Sequence, residues 1–240
     1  MKKAIFKFLL AISTIFFGSI SLIIMAFPLK FKWSFIRYWP KLTIWLAKHI
    51  LGIKYEIKGK ENIVPSASIY MAKHQSEWET FFLPTLFYRP SCYVLKKELL
   101  KIPFMGWGLR SAGHIPINRE IPRLAMKEII SEGKNRLKQD ANVIIFPEGT
   151  RTPVGSNKPY KRGGSILATV TGKGAVPIAI NSGHIWPKDS KNIKSGTITV
   201  SIGPLIPSEG LSSDEHLALI EKWIENEMRI LNPEHYASAT

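Results

Sequence analysis

The sequence predicts an α/β protein with a largely parallel central sheet flanked by helices, preceded by an N-terminal membrane-associated helical segment. Two observations carry this. From about Lys54 onward, short apolar runs alternate with helix-length amphipathic stretches, the pattern of strands joined by helices. Upstream, Phe8 to Leu29 runs without a single charge, long enough to cross roughly 30 Å of hydrocarbon as a helix. The domain boundary is expected near residue 53: residues 1–53 form an anchor with interfacial helices, and residues 54–240 form the α/β body.

Taken in order, the first element is the charge-free run, preceded by Lys2, Lys3 and Lys7. This arrangement also suits a signal peptide. The run is longer than a signal core, however, and no small-x-small cleavage site follows it, so a retained anchor is the better reading. Next, Phe31 to Leu51 interleaves Trp33, Trp39 and Trp45 with Lys32, Arg37, Lys41 and Lys48. Aromatic rings and long cationic stems both favour the head-group region. The segment reads as an interfacial or partly re-entrant helix interrupted near Pro40, with a core-packing amphipathic helix as the alternative.

In the body, strands are expected at Tyr55–Lys58, Ser68–Ala72, Tyr93–Lys96, His114–Ile117, Val143–Phe146, Ala175–Ile180 and Thr197–Ile202. Helices are expected at Ser76–Phe87, Arg119–Lys138, Gly164–Thr171 and Ser212–Leu231. The Pro-, Gly- and Ser-rich stretch Thr152–Lys158 reads as a surface loop.

Charge narrows the class of partner. The formal net charge is +15, and residues 1–60 hold eleven Lys or Arg against Glu56 alone. A pI near 10 usually raises nucleic-acid binding. Here the excess flanks lipid-length apolar sequence, so attraction to anionic head groups explains it better and no nucleic-acid partner is expected. Five basic residues follow the run in Lys30–Lys48 against three before it, which mildly favours a body on the cytoplasmic side. Cys92 is the one cysteine, so no intrachain disulfide forms. No Cys/His cluster has zinc-ligand spacing, and no metal or cofactor is expected. Cys92 precedes Tyr93, Val94 and Leu95 and reads as a buried strand residue, not a nucleophile.

Two short motifs carry the chemistry. Lys73-His74-Gln75-Ser76-Glu77-Trp78-Glu79 places a histidine five positions before a carboxylate, between a strand and a helix. Phe146-Pro147-Glu148-Gly149-Thr150-Arg151 follows a second strand-like run. Ser76-x-x-Glu79 is also a capping box, a structural use of the same residues. The two uses are compatible. On a continuous helix, residues five apart diverge, but a His off the helix end can meet a carboxylate folding back from its first turn. No Gly-x-Ser-x-Gly elbow, His-Glu-x-x-His or Walker loop is present.

Together the motifs resemble those of the 1-acylglycerol-3-phosphate acyltransferases: His, four residues, Asp, then far downstream Phe-Pro-Glu-Gly-Thr-Arg. Here the second motif is complete and Glu79 stands where the family usually has Asp. The resemblance spans roughly Lys54 to Ile180 and includes Arg119 after the Gly-rich block Gly106 to Gly113, and Val176–Ile180 as the fourth block. It implies His74 as the base and Glu79 as its partner, with Arg119, Glu148, Gly149, Thr150 and Arg151 shaping a phosphate site. Lys161, Arg162 and Gly163, opening a helix, are a further candidate anion site. The structural alternatives are a surface arginine at a helix start for Arg119, a salt bridge within a turn for Glu148 and Arg151, and plain solvated charge at Lys161–Arg162.

The implied function is transfer of a fatty acyl group from acyl-CoA or acyl carrier protein to the free hydroxyl of lysophosphatidic acid. The product is phosphatidic acid, and the carrier is a co-substrate, not a cofactor. A bacterial inner membrane, with the catalytic body facing the cytoplasm, is the expected location. Two rivals stay open: an acyltransferase for another lysophospholipid, a lipid amine or glycerol-3-phosphate, and a non-catalytic membrane lipid binder.

Overall fold

The computed structural model describes residues 1–156 and 158–236. It opens with α1 (Lys2–Ile23), a 3₁₀ turn at Ile24–Ala26, α2 (Leu29–Ile36) and α3 (Tyr38–Leu51). Then come β1 (Ile53–Lys58), β2 (Ile69–Ala72), α4 (Trp78–Phe82), β3 (Ser91–Lys96), α5 (Met105–Ser111), β4 (Ile115–Ile117) and α6 (Pro122–Lys138). The chain continues through β5 (Asn142–Ile145), α7 (Gly163–Thr171), β6 (Ala175–Ile180), β7 (Gly196–Ile202), α8 (Ser213–Leu231) and α9 (Pro233–Tyr236). The strand order is β1-β7-β6-β2-β5-β3-β4. β1 pairs with β7, β2 with β6 and β3 with β4 in parallel, while β6 and β7 run antiparallel. The expected largely parallel sheet flanked by helices is what forms.

The chain divides into two compact units, each made of two segments: residues 1–52 with 80–143, and residues 53–79 with 144–240. In the first unit α1 packs on α3 and α5. Its buried residues are Phe6, Ser13, Gly18 and Ser21, and a Cβ on Gly18 would collide with the backbone of Phe104. Small residues let two helix backbones approach closely, which explains the glycine. The opposite stripe, Phe8, Ile12, Ile15, Phe16, Leu22 and Ile23, is exposed. In α6, Ala125, Ile129 and Leu137 bury one face at helical spacing.

The second unit holds the strands most completely removed from water. Every residue of β2 and of β6 is buried. Pro177 within β6 is tolerated because the antiparallel pairing to β7 spans only Ile178–Ile180. α8 packs on β6 and α7 through Leu217, Ile220, Ile224 and Met228, and Ser212 and Glu215 form a capping box at its start.

Prolines account for three departures from the expected helices. The charge-free run does not continue as helix to Leu29: α1 ends at Ile23, and Phe27 is extended because Pro28 follows it. The break in the second segment falls at Arg37. Pro40 lies in the first turn of α3, where its missing N–H costs nothing, so it begins a helix that it was expected to interrupt. The helix expected over Ser76–Phe87 is two pieces, α4 and a 3₁₀ turn at Leu83–Leu86 that contains Pro84. Two helices among the described residues were not expected at all, the short α9 and α5. The Gly-rich block contains α5, whose Gly106 allows backbone contact with Leu100.

Candidate active site

β2 delivers His74 to the site. The strand ends at Ala72, Lys73 donates its backbone N–H to Ile178 of the neighbouring β6, and the chain then turns into α4. His74 Nδ1 lies 2.7 Å from Glu79 Oε2. The other oxygen, Oε1, accepts from the backbone N–H groups of Gln75 at 2.9 Å and Ser76 at 3.0 Å, and from the Ser182 hydroxyl. Ser76 Oγ in turn accepts from Trp78 N–H. One fully buried carboxylate therefore closes the helix start and holds the imidazole.

The imidazole is fixed on a second side by Phe146, whose ring stacks on it with centroids 3.8 Å apart and planes 14° apart. With Nδ1 donating to Glu79, Nε2 is the nitrogen available as an acceptor. The side chain is 14% exposed, so a bound molecule can reach it.

Glu148, from the loop after β5, sits under the same histidine. Oε2 accepts His74 N–H at 2.9 Å, and Oε1 accepts from the Thr152 hydroxyl at 3.1 Å. Lys73 Nζ lies 3.1 Å from Glu148 Oε1 and 2.7 Å from Glu225 Oε1 on α8, with both Lys73 and Glu148 wholly buried. Tyr160 OH donates to Glu225 at 2.7 Å, and Lys73 Nζ stands 5.6 Å above the Tyr160 ring. Burial pushes the Glu148 carboxyl up to about 7, even though Lys73 pulls it down by charge and hydrogen bonding. Glu148 thus accepts protein donors on both oxygens and holds the His74 segment in place.

The loop after Glu148 clasps the loop after His74. Thr152 N–H donates to the His74 carbonyl at 2.8 Å. Arg151 Nη1 bonds Glu77 at 2.7 Å and the Lys188 carbonyl at 3.1 Å, and its other guanidinium nitrogens make no bond among the described residues. Gly149 takes φ +70° in the turn, and a Cβ there would meet the Lys161 side chain at 3.0 Å. Lys161 is exposed, with its ammonium end lying over that turn. Thr150 is half-buried between Gly149 and Arg151. Arg162, by contrast, points to Asp214 at 3.4 Å with both groups exposed, and Gly163 is the buried first residue of α7.

Arg119 lies in the other compact unit, exposed on the turn between β4 and α6. Asn118 N–H beside it donates to Glu128, which fixes that turn. Cys92 is buried in β3, and burial pushes its thiol up to about 12, which rules it out as a nucleophile. Among the described residues, His184, Glu234 and His235 bring metal-ligand atoms within 4.8 Å of one another.

Lys73, Tyr160, Ser182 and Glu225 had no expected role. Lys73 carried a visible signal, a lysine directly after a short, wholly apolar strand. Glu225 carried none, since it stands 152 residues from Lys73 on a helix face that reads as solvated.

A family model described as Acyltransferase matches residues 54–181. The chain is 40% identical over 238 residues to a 1-acyl-sn-glycerol-3-phosphate acyltransferase of Pseudomonas aeruginosa, covering 97% of this chain and 92% of that one. It is 30% identical over 184 residues to the human 1-acyl-sn-glycerol-3-phosphate acyltransferase alpha, covering 76% of this chain and 65% of that one. Among solved structures, the 1-acyl-sn-glycerophosphate acyltransferase of Thermotoga maritima superposes with a TM-score of 0.79 at 24% identity, covering 97% of this chain and 98% of that one.

Proposed function

The chain belongs to the acyltransferase family that includes the 1-acyl-sn-glycerol-3-phosphate acyltransferases, and on that premise we propose that it acylates the free hydroxyl of lysophosphatidic acid to give phosphatidic acid. The observation that carries the mechanism is the His74–Glu79 pair, with Nε2 making no bond among the described residues and the side chain 14% exposed. Nε2 takes the proton from the acceptor hydroxyl as its oxygen attacks the thioester carbonyl. The tetrahedral adduct then expels the thiolate, which the imidazolium protonates. Glu79 keeps the proton on Nδ1 and steadies the imidazolium between these steps. The donor in this reading is acyl-CoA or acyl carrier protein.

Arg151 and Lys161, with the backbone at Gly149 and Thr150, supply the positive charge for the acceptor's phosphate. A guanidinium with free nitrogens suits bidentate phosphate contact. Arg119 is assigned a phosphate-binding role by family resemblance alone. Glu148 is assigned to positioning His74, since its oxygens are taken by His74, Lys73 and Thr152.

Residues 1–53 are read as the anchor and 54–240 as the acyltransferase domain, in a bacterial inner membrane with the site on the cytoplasmic side. Support comes from α1 with its 3₁₀ extension, an apolar stretch over Lys2–Ala26 of which only 17% of the most apolar window is buried. Its exposed stripe faces outward while the Gly18 face packs on α5, an arrangement that suits a helix seated in the bilayer beside its own domain. Anchoring raises the effective concentration of a substrate that lives in the same membrane.

The test is acyl transfer from a long-chain acyl-CoA to lysophosphatidic acid by protein in detergent, beside His74→Ala. Transfer by the parent and a loss of ~10²–10⁴ in the folded variant is expected. Equal rates in both would remove His74 from the mechanism. Lipid binding without transfer by either would favour the non-catalytic reading.

A further inference from the structure

The first unit carries an open cavity of about 520 Å³ lined by Lys30, Lys32, Arg110 and Arg136, with Gly113 and Gln139 and no acidic side chain in its lining. Two of these cations are held in place. Arg136 donates from Nε to the Gly113 carbonyl at 2.6 Å, and Nη2 lies 3.3 Å from Glu132. Lys32 Nζ donates to the Met25 carbonyl at 3.2 Å, in the last turn of the apolar segment. Gly113 takes φ +73°, and a Cβ there would meet the Leu29 side chain and then Arg136, so the glycine keeps this wall open. Lys30 and Arg110 are exposed, and neither side chain has a partner among the described residues.

Four cations with one neighbouring carboxylate repel one another. Burial first, and Arg136 next, lower the Lys32 pKa below the usual ammonium range. Such crowding is relieved by an anion. Chain position says which kind: the apolar stretch ends at Ala26, and Phe27 and Phe31, 49% and 52% exposed, stack with ring centroids 4.7 Å apart directly before the cavity wall. Exposed aromatics next to basic residues at the end of an apolar helix mark head-group depth.

We propose that this cavity is a binding site for the phosphate group of an anionic phospholipid, separate from the acyl-transfer site. The proposal rests on reading α1 as bilayer-seated. Arg136 and Lys32 form its fixed floor, Lys30 and Arg110 close over the phosphate from the rim, and occupancy pins the α1–α2 junction to one depth in the membrane.

The test is native mass spectrometry of the full chain in detergent, titrated with phosphatidylglycerol, phosphatidylcholine or inorganic phosphate. Lys30→Gln/Arg110→Gln is compared with Lys2→Gln/Lys7→Gln, which removes equal charge roughly 25–30 Å from the end of α1 along the helix. The parent is expected to retain phosphatidylglycerol over phosphatidylcholine. Lys30→Gln/Arg110→Gln should weaken that retention roughly 30-fold, the effect of two basic residues near a membrane surface, and the control pair should leave it nearly unchanged. Equal weakening by both pairs would mean diffuse charge and overturn the proposal. No preference between the lipids, with phosphate retained through Lys30 and Arg110, would make this a soluble-anion site and equally overturn it. A chain that stays dispersed without detergent and retains neither lipid would overturn the membrane reading itself.

Discussion

Glu79 holds His74 Nδ1 at 2.7 Å with one oxygen while the other accepts two backbone N–H groups at the start of α4. The helix cap and the catalytic pair are one carboxylate, so the side chain must reach both ends at once. Glu79→Gln removes the charge that steadies the imidazolium and is expected to lower kcat by ~10²–10⁴. Glu79→Asp keeps the charge but shortens the reach, and a misplacement of this size costs up to about 10² in kcat. Steady-state kinetics with unchanged thermal stability would check both; an aspartate variant as active as the parent would show that the cap geometry is dispensable.

Lys73 joins Glu148 to Glu225 inside the second unit. Removing one partner of a buried ion pair strands the other charge, so Lys73→Met is expected to lose about 3–5 kcal/mol of stability. Chemical denaturation measures that loss. Lys73→Met/Glu225→Gln removes a cation and an anion together and should recover part of it. No recovery would mean that Lys73 acts through Glu148 alone.

The Glu148 carboxyl, raised by burial from 4.5 to about 7, sets two opposite pH dependences. Its folded pKa exceeds its unfolded value, so the folded state binds more protons between them. The corresponding stability is present below about 4.5 and is lost as pH rises through about 7. Activity runs the other way. A protonated Glu148 pairs poorly with Lys73 and the His74 N–H, so kcat/KM should fall as pH drops below about 7. Glu148→Gln cannot titrate at that position, so its acid limb should lose the ionisation near 7. An acid limb unchanged in Glu148→Gln would count against Glu148.

Gly18 sets the approach of α1 to α5. Gly18→Val places branched carbons against the Phe104 backbone and is expected to cost about 1–3 kcal/mol by overpacking. Thermal unfolding in detergent reads this directly. Ile15→Val, on the exposed stripe, serves as the comparison and should leave the midpoint nearly unchanged.

All seven strands among the described residues were legible in the chain, within a few residues at each end, because buried strands must be short, apolar and bounded by turn formers. His74, Glu79 and the Phe146–Arg151 motif stood out through their joint resemblance to a family pattern, since each taken alone has an ordinary structural use such as the capping box. The prolines were visible, but their effect depended on position: Pro40 in a first turn is harmless, whereas Pro28 ends a helix.

What the sequence determined by itself was the order of elements, the apolar lead segment and the chemistry on offer at the two motifs. Tertiary structure alone decided which charges meet. Lys73 finds Glu225 at a separation of 152 residues, and Glu79 finds Ser182 at 103. Glu148, read as part of a phosphate site, accepts the His74 backbone N–H across 74 residues. The physical reason is that a side chain's partner across a sheet depends on register and layer packing. Neither leaves a periodic trace in the chain, because one buried lysine or carboxylate looks the same in sequence as a solvated one.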